Sequence, residues 1–234
     1  MIDAYQKLFD YYPKEKFFTD SISNIIFVPE DKIEENWIAQ RKKLLNAGEF
    51  YIRGYGRDAA GTKAFIELYK HLFPGINVSK DQTNNAIPTR LLSDYTGYSK
   101  VASEKTDGKK RIQNYQVSHL FGRTKNPILF TTAWNFAYVP KYLDPFTGHE
   151  TQGKYQEEFK RIFQDFLWTK FEKYILEYNA LIEPIMAERF SNAFEITRES
   201  LKEVNSEFDD EFLNRFEKDA KSELAVIKKM SEFE

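Results

Sequence analysis

The chain has 234 residues, of which 41 % are hydrophobic and 16 % aromatic, so it has enough apolar side chains for a packed core and is not wholly disordered. Its formal net charge is −2, so a site for a polyanion has to be a local basic patch. Cysteine is absent, which excludes disulfide scaffolds, cysteine zinc sites and thiol nucleophiles. Because we find neither a signal-like start nor an apolar run of about 18 residues, we predict a cytoplasmic chain without a membrane span.

Residues 1–98 have the character of a mixed, mostly helical region. Apolar spacing and the positions of Pro and Gly predict helices over 1–12, 31–46, TKAFIELYKHLF and about 88–95. The segment EFYIRGYG predicts a short strand between the second and third of these helices. Apart from the fourth helix, the polar text between 76 and 111 predicts loops.

The rest of the chain divides into two regions of different character. Residues 99–154 contain two strand candidates, RIQNYQVSH and WNFAYVPKYL, because both are rich in β-branched and aromatic residues. Residues 155–234 repeat apolar side chains every three to four positions, which predicts a long helix that Pro184 ends or kinks. Two further helices are expected, at about 185–204 and 209–230. We expect all three regions to form one compact α+β domain.

Two of the three histidines lie in residues 115–153, in the order His119, Asn135, His149, with spacings of 16 and 14 residues. A strand that ends in His, a loop, a strand with Asn and a helix with His resemble the HNH, or ββα-metal, endonuclease family. Within that family, the type II restriction endonucleases are the most similar in chain size. The resemblance is confined to residues 115–153.

The resemblance implies a ββα-metal core within a mostly helical fold, and a metal-dependent endonuclease that hydrolyses double-stranded DNA. It implies that His119 is the general base, because a neutral imidazole with a pKa of about 6.5 can deprotonate water at pH 7. It implies that His149 holds Mg²⁺ or Mn²⁺, which stabilises charge at the scissile phosphate. Asn135 would fix the loop or orient the His119 ring through its side-chain amide.

One position departs from the family pattern. Ser118 stands where the family usually has an acidic metal ligand, and a hydroxyl is a poor ligand for Mg²⁺. Asp144 and Glu150, which flank His149, are the candidates for the missing carboxylate. Phosphate oxygens of the substrate are the other source of negative charge for the metal.

A local excess of positive charge accompanies these residues. Residues 100–125 contain seven basic and two acidic residues, whereas residues 199–234 contain six basic and eleven acidic ones. Because the basic strip adjoins His119 in the sequence, we predict that it contacts DNA phosphates. The predicted contacts are Lys105, Lys109, Lys110, Arg111, Arg123 and Lys125.

Other interpretations compete with an endonuclease. A non-catalytic nucleic-acid-binding or helical interaction protein would carry the same histidines incidentally. The segment TNNAIPTR offers Asn84, Asn85, Thr89 and Arg90 for base-edge readout, or it is an ordinary polar loop. RGYGRDAAG lacks the spacing of phosphate-binding glycine loops, and SEK at 103–105 does not fit a PD-(D/E)xK nuclease.

The aromatic residues of the acidic helical region predict an interface. They outnumber what one small catalytic core needs, so we predict a homodimer, the alternative being that these helices wrap the core of a monomer. Two copies related by a two-fold axis would suit a palindromic DNA site. The aromatic residues concerned are Phe159, Phe163, Phe166, Phe171, Phe190, Phe194, Phe208, Phe212 and Phe216.

Overall fold

The computed structural model describes residues 3–55, 59–103, 107–147, 152–204 and 208–229. Within these ranges the helices are α1 (Ala4–Phe9), α2 (Lys14–Ser23), α3 (Glu30–Leu45), α4 (Ala59–Leu72), α5 (Ala86–Thr96), α6 (Pro127–Phe130), α7 (Asp144–Thr147), α8 (Lys154–Glu188), α9 (Phe190–Val204) and α10 (Asp210–Leu224). The strands are β1 (Ile26–Phe27), β2 (Glu49–Ile52), β3 (Asn77–Lys80), β4 (Tyr98–Ser99), β5 (Lys110–Arg111), β6 (Tyr115–His119) and β7 (Phe136–Pro140). Helices predominate over strands, which confirms the α+β class.

The strands form three small sheets. Strand β7 lies between β1 and β6 and is antiparallel to both. Strands β2 and β3 are parallel and are joined through α4, while β4 and β5 form a two-residue parallel pair. All five residues of β7 are buried, as expected for a central strand covered on both faces, whereas every residue of the edge strand β6 is half-buried.

Aromatic side chains join the helices to the three-stranded sheet. Trp37 of α3 and Trp134, which precedes β7, are fully buried and pack edge to face with ring centroids 6.0 Å apart. The Trp37 indole nitrogen donates to Glu177 of α8 at 2.8 Å, so burial of the ring does not leave its N–H unsatisfied. These two contacts join α8, through α3, to the segment that leads into β7.

Helix α8 corrects the prediction for Pro184. The helix continues through Pro184 to Glu188, and the residue with non-helical dihedral angles is Phe171, at φ −118° and ψ 15°. Phe171 is buried between β1 and Trp134, with ring contacts to Phe27 and Trp134. The break therefore lies where packing against the sheet redirects the helix, and the proline is accommodated near its C-terminal end.

Most of the aromatic residues predicted to form a dimer interface are buried in the core of the chain. Phe166 is 37 % exposed and Phe212 is half-buried, but the other seven are buried. Phe194 and Phe216, for example, stack on each other and bring α9 and α10 together over α4. The apolar surplus that suggested a dimer is thus internal packing, and it no longer argues for an interface.

Strand β3 and helix α2 were not predicted by the sequence. The expectation of loops from 76 to 111 is wrong at Asn77–Lys80, where only Val78 is buried and the rest of the strand is polar or exposed. Pairing with β2, rather than its own residue pattern, makes this segment a strand.

No helix in the described part of the chain has the length and apolar character needed to cross a membrane.

Candidate active-site cleft

His119 is the last residue of β6 and pairs in register with Phe136 of β7. Its ring stacks on the ring of Phe130, with centroids 5.2 Å apart and planes 9° apart. Its Nε2 lies 3.0 Å from the carbonyl oxygen of Phe130. Because a carbonyl oxygen only accepts, Nε2 carries the proton and Nδ1 holds a lone pair in the neutral ring.

The surroundings of His119 oppose its protonation. Burial among apolar rings lowers the pKa of His119 to about 4, against the opposing effect of the hydrogen bond to Phe130. The positive charge of Arg53 lowers this pKa further, and the carboxylate of Asp81 raises it. At pH 7 the ring is therefore neutral, and Nδ1 can accept a proton.

This pKa predicts how stability depends on pH. Between about pH 6.5 and pH 4 the unfolded chain binds a proton at His119 that the folded chain does not, so the free energy of unfolding decreases as pH falls through this range. The loss amounts to about 3 kcal/mol and is absent above about pH 7. Urea unfolding at several pH values should show it in the native protein and not in His119→Gln. Parallel curves for the two proteins would contradict the lowered pKa.

Asn135 fixes the loop between β6 and β7. It is fully buried, and its Oδ1 accepts from the backbone N–H of Phe121 at 3.0 Å. Its Nδ2 donates to the carbonyl oxygens of Leu129 at 3.1 Å and Gly122 at 3.3 Å. The side chain thus joins both ends of the loop that starts directly after His119.

Two adjoining cavities open beside this loop. A small cavity of about 50 Å³ is lined by Ser118, His119, Leu120, Phe146, Thr147, Lys160, Phe163 and Gln164. A larger cleft of about 430 Å³ is lined by Phe121, Arg123, Lys160, Gln164, Ala225, Val226, Ile227 and Lys228. Because Lys160 and Gln164 of α8 line both, the two cavities are neighbours, and His119 lies at the narrow end. The sequence did not single out Lys160, Gln164 or Lys228.

Arg123 enters the wide cleft from a strained turn. Its φ is +53°, in the left-handed region that costs a residue with a side chain about 1 kcal/mol. Its Nη2 donates to the carbonyl oxygen of Val226 at 3.0 Å, and its guanidinium also hydrogen-bonds to the side chain of the buried Tyr178. Burial lowers the pKa of Arg123, and the nearby Tyr178 and Glu223 oppose that effect.

Two other predicted DNA contacts are engaged within the chain. Lys109 forms an ion pair with Asp94 at 2.6 Å. Lys125 forms one with Glu223 at 3.2 Å, and the Glu223 carboxylate also accepts from the Lys125 backbone N–H. Their charges are thus largely neutralised by acids that lie 15 and 98 residues away in the sequence.

The remaining predicted DNA contacts differ in their surroundings. Lys110 and Arg111 form the exposed strand β5, with the Lys110 ammonium 6.0 Å from the ring centroid of Tyr98. Lys105 lies outside the described residues. The predicted basic strip is therefore divided, because Arg123 faces a cleft built with α8 while Lys110 and Arg111 belong to a separate two-stranded sheet.

Of the predicted metal ligands, only Asp144 is described. It begins α7, and its carboxylate accepts a hydrogen bond from the side-chain amide of Gln116. His149 and Glu150 lie outside the described residues. Among the residues that the structure does describe, no cluster of three or more His, Asp or Glu side chains could hold a metal ion.

The TNNAIPTR segment forms the start of α5 and one wall of a third cavity. Asn84 accepts from the backbone N–H of Gly54 at 2.9 Å, which commits its amide oxygen to the chain. Asn85 precedes the helix, and its buried Oδ1 has no partner in the described ranges. Arg90 lines the cavity, of about 290 Å³, together with Tyr51. Of the polar residues proposed for base-edge readout, Arg90 alone lines this space.

Comparison with known proteins gives one family. Residues 28–229 match the family described as "Uncharacterised protein PM1201". A protein of that name from Pasteurella multocida (strain Pm70) is 35 % identical over 231 residues, which cover 97 % of this chain and 98 % of that protein. The chain belongs to the PM1201 family. No solved structure matches it.

The match to the PM1201 family locates the cleft within the shared part of the chain. It begins at residue 28, after α1, α2 and β1, and extends to residue 229. All residues that line the two adjoining cavities, from Ser118 to Lys228, lie inside it. The cleft is thus built by the region that defines the family.

Proposed function

We propose that the chain is an endonuclease that hydrolyses phosphodiester bonds of double-stranded DNA, with His119 as the general base. The observation that carries the proposal is the hydrogen bond from Nε2 of His119 to the Phe130 carbonyl oxygen at 3.0 Å. It leaves a lone pair on Nδ1 of a neutral ring that lines a cavity. A water molecule bound at this nitrogen can transfer a proton to it as the water oxygen forms a bond to phosphorus. The bond from phosphorus to the 3′-oxygen breaks in the same step, and this leaving oxygen takes a proton from solvent.

Positive charge adjoins this base. Lys160 lines both the His119 cavity and the wide cleft, where Arg123 and Lys228 add two further cations. Ammonium and guanidinium groups stabilise the negative charge that develops on a phosphate oxygen in the transition state. The cleft therefore combines a proton acceptor with electrostatic stabilisation, and both are needed to hydrolyse a phosphodiester.

The low pKa of His119 sets the pH range of the proposed reaction. The base is neutral at any pH well above 4, so cleavage should persist into mildly acidic solution. The same low pKa makes Nδ1 a weaker base than an exposed imidazole. The cations of the cleft compensate for this weaker basicity, because positive charge around the phosphate lowers the barrier to attack by a weakly activated water.

We further propose that β6, β7 and α7 form the ββα unit of the HNH resemblance. Their order along the chain and the antiparallel β6–β7 pair support it. The side chain of Asn135 hydrogen-bonds to the loop that connects the two strands, which is one role that the HNH resemblance implies for this residue. Helix α7 has only four residues, and Ser118 rather than a carboxylate lines the cavity beside His119.

A divalent cation would supply further positive charge at the scissile phosphate. The described residues do not form a site for it, and we assign no step to it. The proposed ligands remain His149, Asp144 and Glu150. Helix α7 ends at Thr147, which lines the His119 cavity and precedes His149 by two residues.

The test is incubation of the purified protein with plasmid DNA, with and without Mg²⁺ or Mn²⁺, and sequencing of the products. Discrete fragments with defined ends support a sequence-specific restriction endonuclease, and heterogeneous fragments support a less specific nuclease. Retarded but intact DNA would instead support a non-catalytic binding protein. DNA that is neither cut nor retarded at any metal concentration contradicts the proposal.

Metal dependence provides a separate prediction for His149. His149→Ala should raise the Mg²⁺ concentration for half-maximal cleavage by about tenfold or more, because a lost ligand weakens metal binding. His71→Ala is the matched control, since His71 lies at the end of α4 beside Glu67. If metal titrations of folded His149→Ala and native protein coincide, His149 is not a ligand, and Asp144 and Glu150 are the next to replace.

The remaining ground for a homodimer is the symmetry of a palindromic DNA site, where each of two active sites would cut one strand. Light scattering at micromolar concentration should give twice the mass of one chain, with or without DNA. A mass of one chain in both states would contradict it and would leave the helical region as internal packing alone.

A further inference from the structure

The wide cleft beside His119 has a polar end and an apolar wall. Arg123, Lys160 and Lys228 contribute three cations, and Gln164 contributes an amide. Phe121, Val226 and neighbouring apolar side chains complete the lining. No carboxylate lines the cleft among the residues that the structure describes.

We infer that this cleft binds one nucleotide unit, with its phosphate at Arg123, Lys160 and Lys228 and its sugar or base against Phe121 and Val226. The position of this unit next to the scissile phosphate rests on the proposed function. The affinity of the cleft for a nucleotide does not, because it follows from the charges and the apolar wall alone.

Arg123 is the strongest reason for a phosphate. The guanidinium is largely buried and lines the cleft, where a bound anion would offset the cost of removing its charge from water. Nη2 is already held by the Val226 carbonyl oxygen, which fixes the plane of the guanidinium. The left-handed backbone at Arg123 is further strain that the fold maintains at this position.

The neighbouring charges leave the cleft positive. Glu223 is the acid that acts on the pKa of Arg123, and it is already paired with Lys125 at 3.2 Å. Lys160 and Lys228 are exposed, and neither has an ion pair among the described contacts. An anion that enters the cleft would therefore meet three cations and displace no internal carboxylate.

The size of the cleft favours a nucleotide over a bare phosphate ion. At about 430 Å³ it falls in the usual range of small-molecule pockets and is much larger than a phosphate group. The Phe121 ring, which packs edge to face on Trp134 with centroids 5.8 Å apart, is held in place and can contact a sugar or a base. A ligand with both a phosphate and an apolar part would fill the cleft.

The test is calorimetric titration of the intact protein with thymidine 5′-monophosphate, thymidine and inorganic phosphate, without DNA or cleavage. The monophosphate should bind saturably at or below about 1 mM, and each of the other two should bind at least about tenfold more weakly. Lys160→Met and Lys228→Met should each weaken monophosphate binding by about tenfold, because each removes a charge-assisted hydrogen bond. Both lysines are exposed, so these variants should fold.

Arg161→Met is the matched control, because Arg161 is the exposed neighbour of Lys160 on α8 and does not line the cleft. It should bind the monophosphate like the native protein. Arg123→Gln should abolish binding, and its circular dichroism shows whether it has folded. Its failure to fold leaves the two lysine variants to decide.

Each other outcome contradicts the inference. If thymidine binds as tightly as its monophosphate, the cleft does not recognise the phosphate. If inorganic phosphate binds as tightly as the monophosphate, the cleft does not recognise the nucleoside. Equal losses of monophosphate affinity in Lys160→Met and Arg161→Met would mean that the overall charge of this surface, and not the cleft, determines binding. The two proposals fail separately, because nucleotide binding without DNA cleavage contradicts only the endonuclease, and cleavage without nucleotide binding contradicts only this site.

Discussion

Replacement of His119 with Gln should lower the rate of DNA cleavage by about 10²–10⁴-fold, the usual contribution of a general base. Gln retains an N–H that can donate to the Phe130 carbonyl oxygen, so the loop should keep its structure. It has no group that accepts a proton from water near neutral pH. Single-turnover cleavage at saturating DNA measures the chemical step apart from binding.

His71→Gln is the matched control for this substitution and should cleave at the native rate, because His71 lies on α4 beside Glu67. DNA retardation by His119→Gln should match that of the native protein. Cleavage by His119→Gln at the native rate would rule His119 out as the base. Loss of DNA retardation in the folded variant would instead assign the ring to binding.

Replacement of Asn135 with Ala should lower the free energy of unfolding by about 2 kcal/mol. The substitution leaves the backbone N–H of Phe121 without its partner, and a buried group left unsatisfied costs about 1–3 kcal/mol. The carbonyl oxygen of Leu129 keeps the backbone N–H of Thr132, and Gly122 is exposed to water. Urea unfolding measures the difference. Because the loop begins at the residue after His119, cleavage should also fall at temperatures where the variant is still folded.

Asn214→Ala controls for the Asn135 substitution. Asn214 is exposed on α10, so its loss should change the free energy of unfolding by no more than about 0.5 kcal/mol. If Asn135→Ala is as stable as Asn214→Ala, water molecules satisfy the backbone groups of the loop in place of the Asn135 amide. The structural role assigned to Asn135 would then be wrong.

Most of the helices could be predicted because the residues within and next to each helix determine where it forms. Helix α3 was expected over 31–46 and is found at Glu30–Leu45, since apolar spacing and a glycine after its end determine it. Strand β7 was likewise recognised from its β-branched and aromatic residues. Strand β3 was not, because a polar four-residue strand depends on its partner β2, which lies on the other side of α4.

The candidate site was only partly predictable for the same reason. His119 and Asn135 lie close in sequence, and the amide of Asn135 hydrogen-bonds to the loop backbone. The cations of the cleft come from positions 123, 160 and 228, so a count of charge over a local window could find only the first of them. The same count could not show that Lys125 is neutralised by Glu223, 98 residues further on.

The packing of α8 also exceeds what local sequence specifies. A proline inside a helical pattern normally indicates an end or a kink, yet Pro184 lies four residues before the end of α8 and the dihedral break occurs at Phe171. The position of the break depends on the sheet and Trp134, which contact Phe171 from distant parts of the chain. Tertiary contacts therefore override the local signal here.

The contacts of residues 223–227 have a consequence for synthesis on the ribosome. Asn126 donates to the carbonyl oxygen of Glu223, and Arg123 donates to that of Val226, while Ile227 exchanges two hydrogen bonds with Asn179. A nascent chain that has been translated only through α8 contains His119 but lacks these partners for the loop that follows it. Since translation adds about 5–20 residues per second, the loop remains unsupported for several seconds. We therefore expect the proposed hydrolytic site to be assembled only after α10 and residues 225–227 have been synthesised, so that shorter nascent chains are inactive.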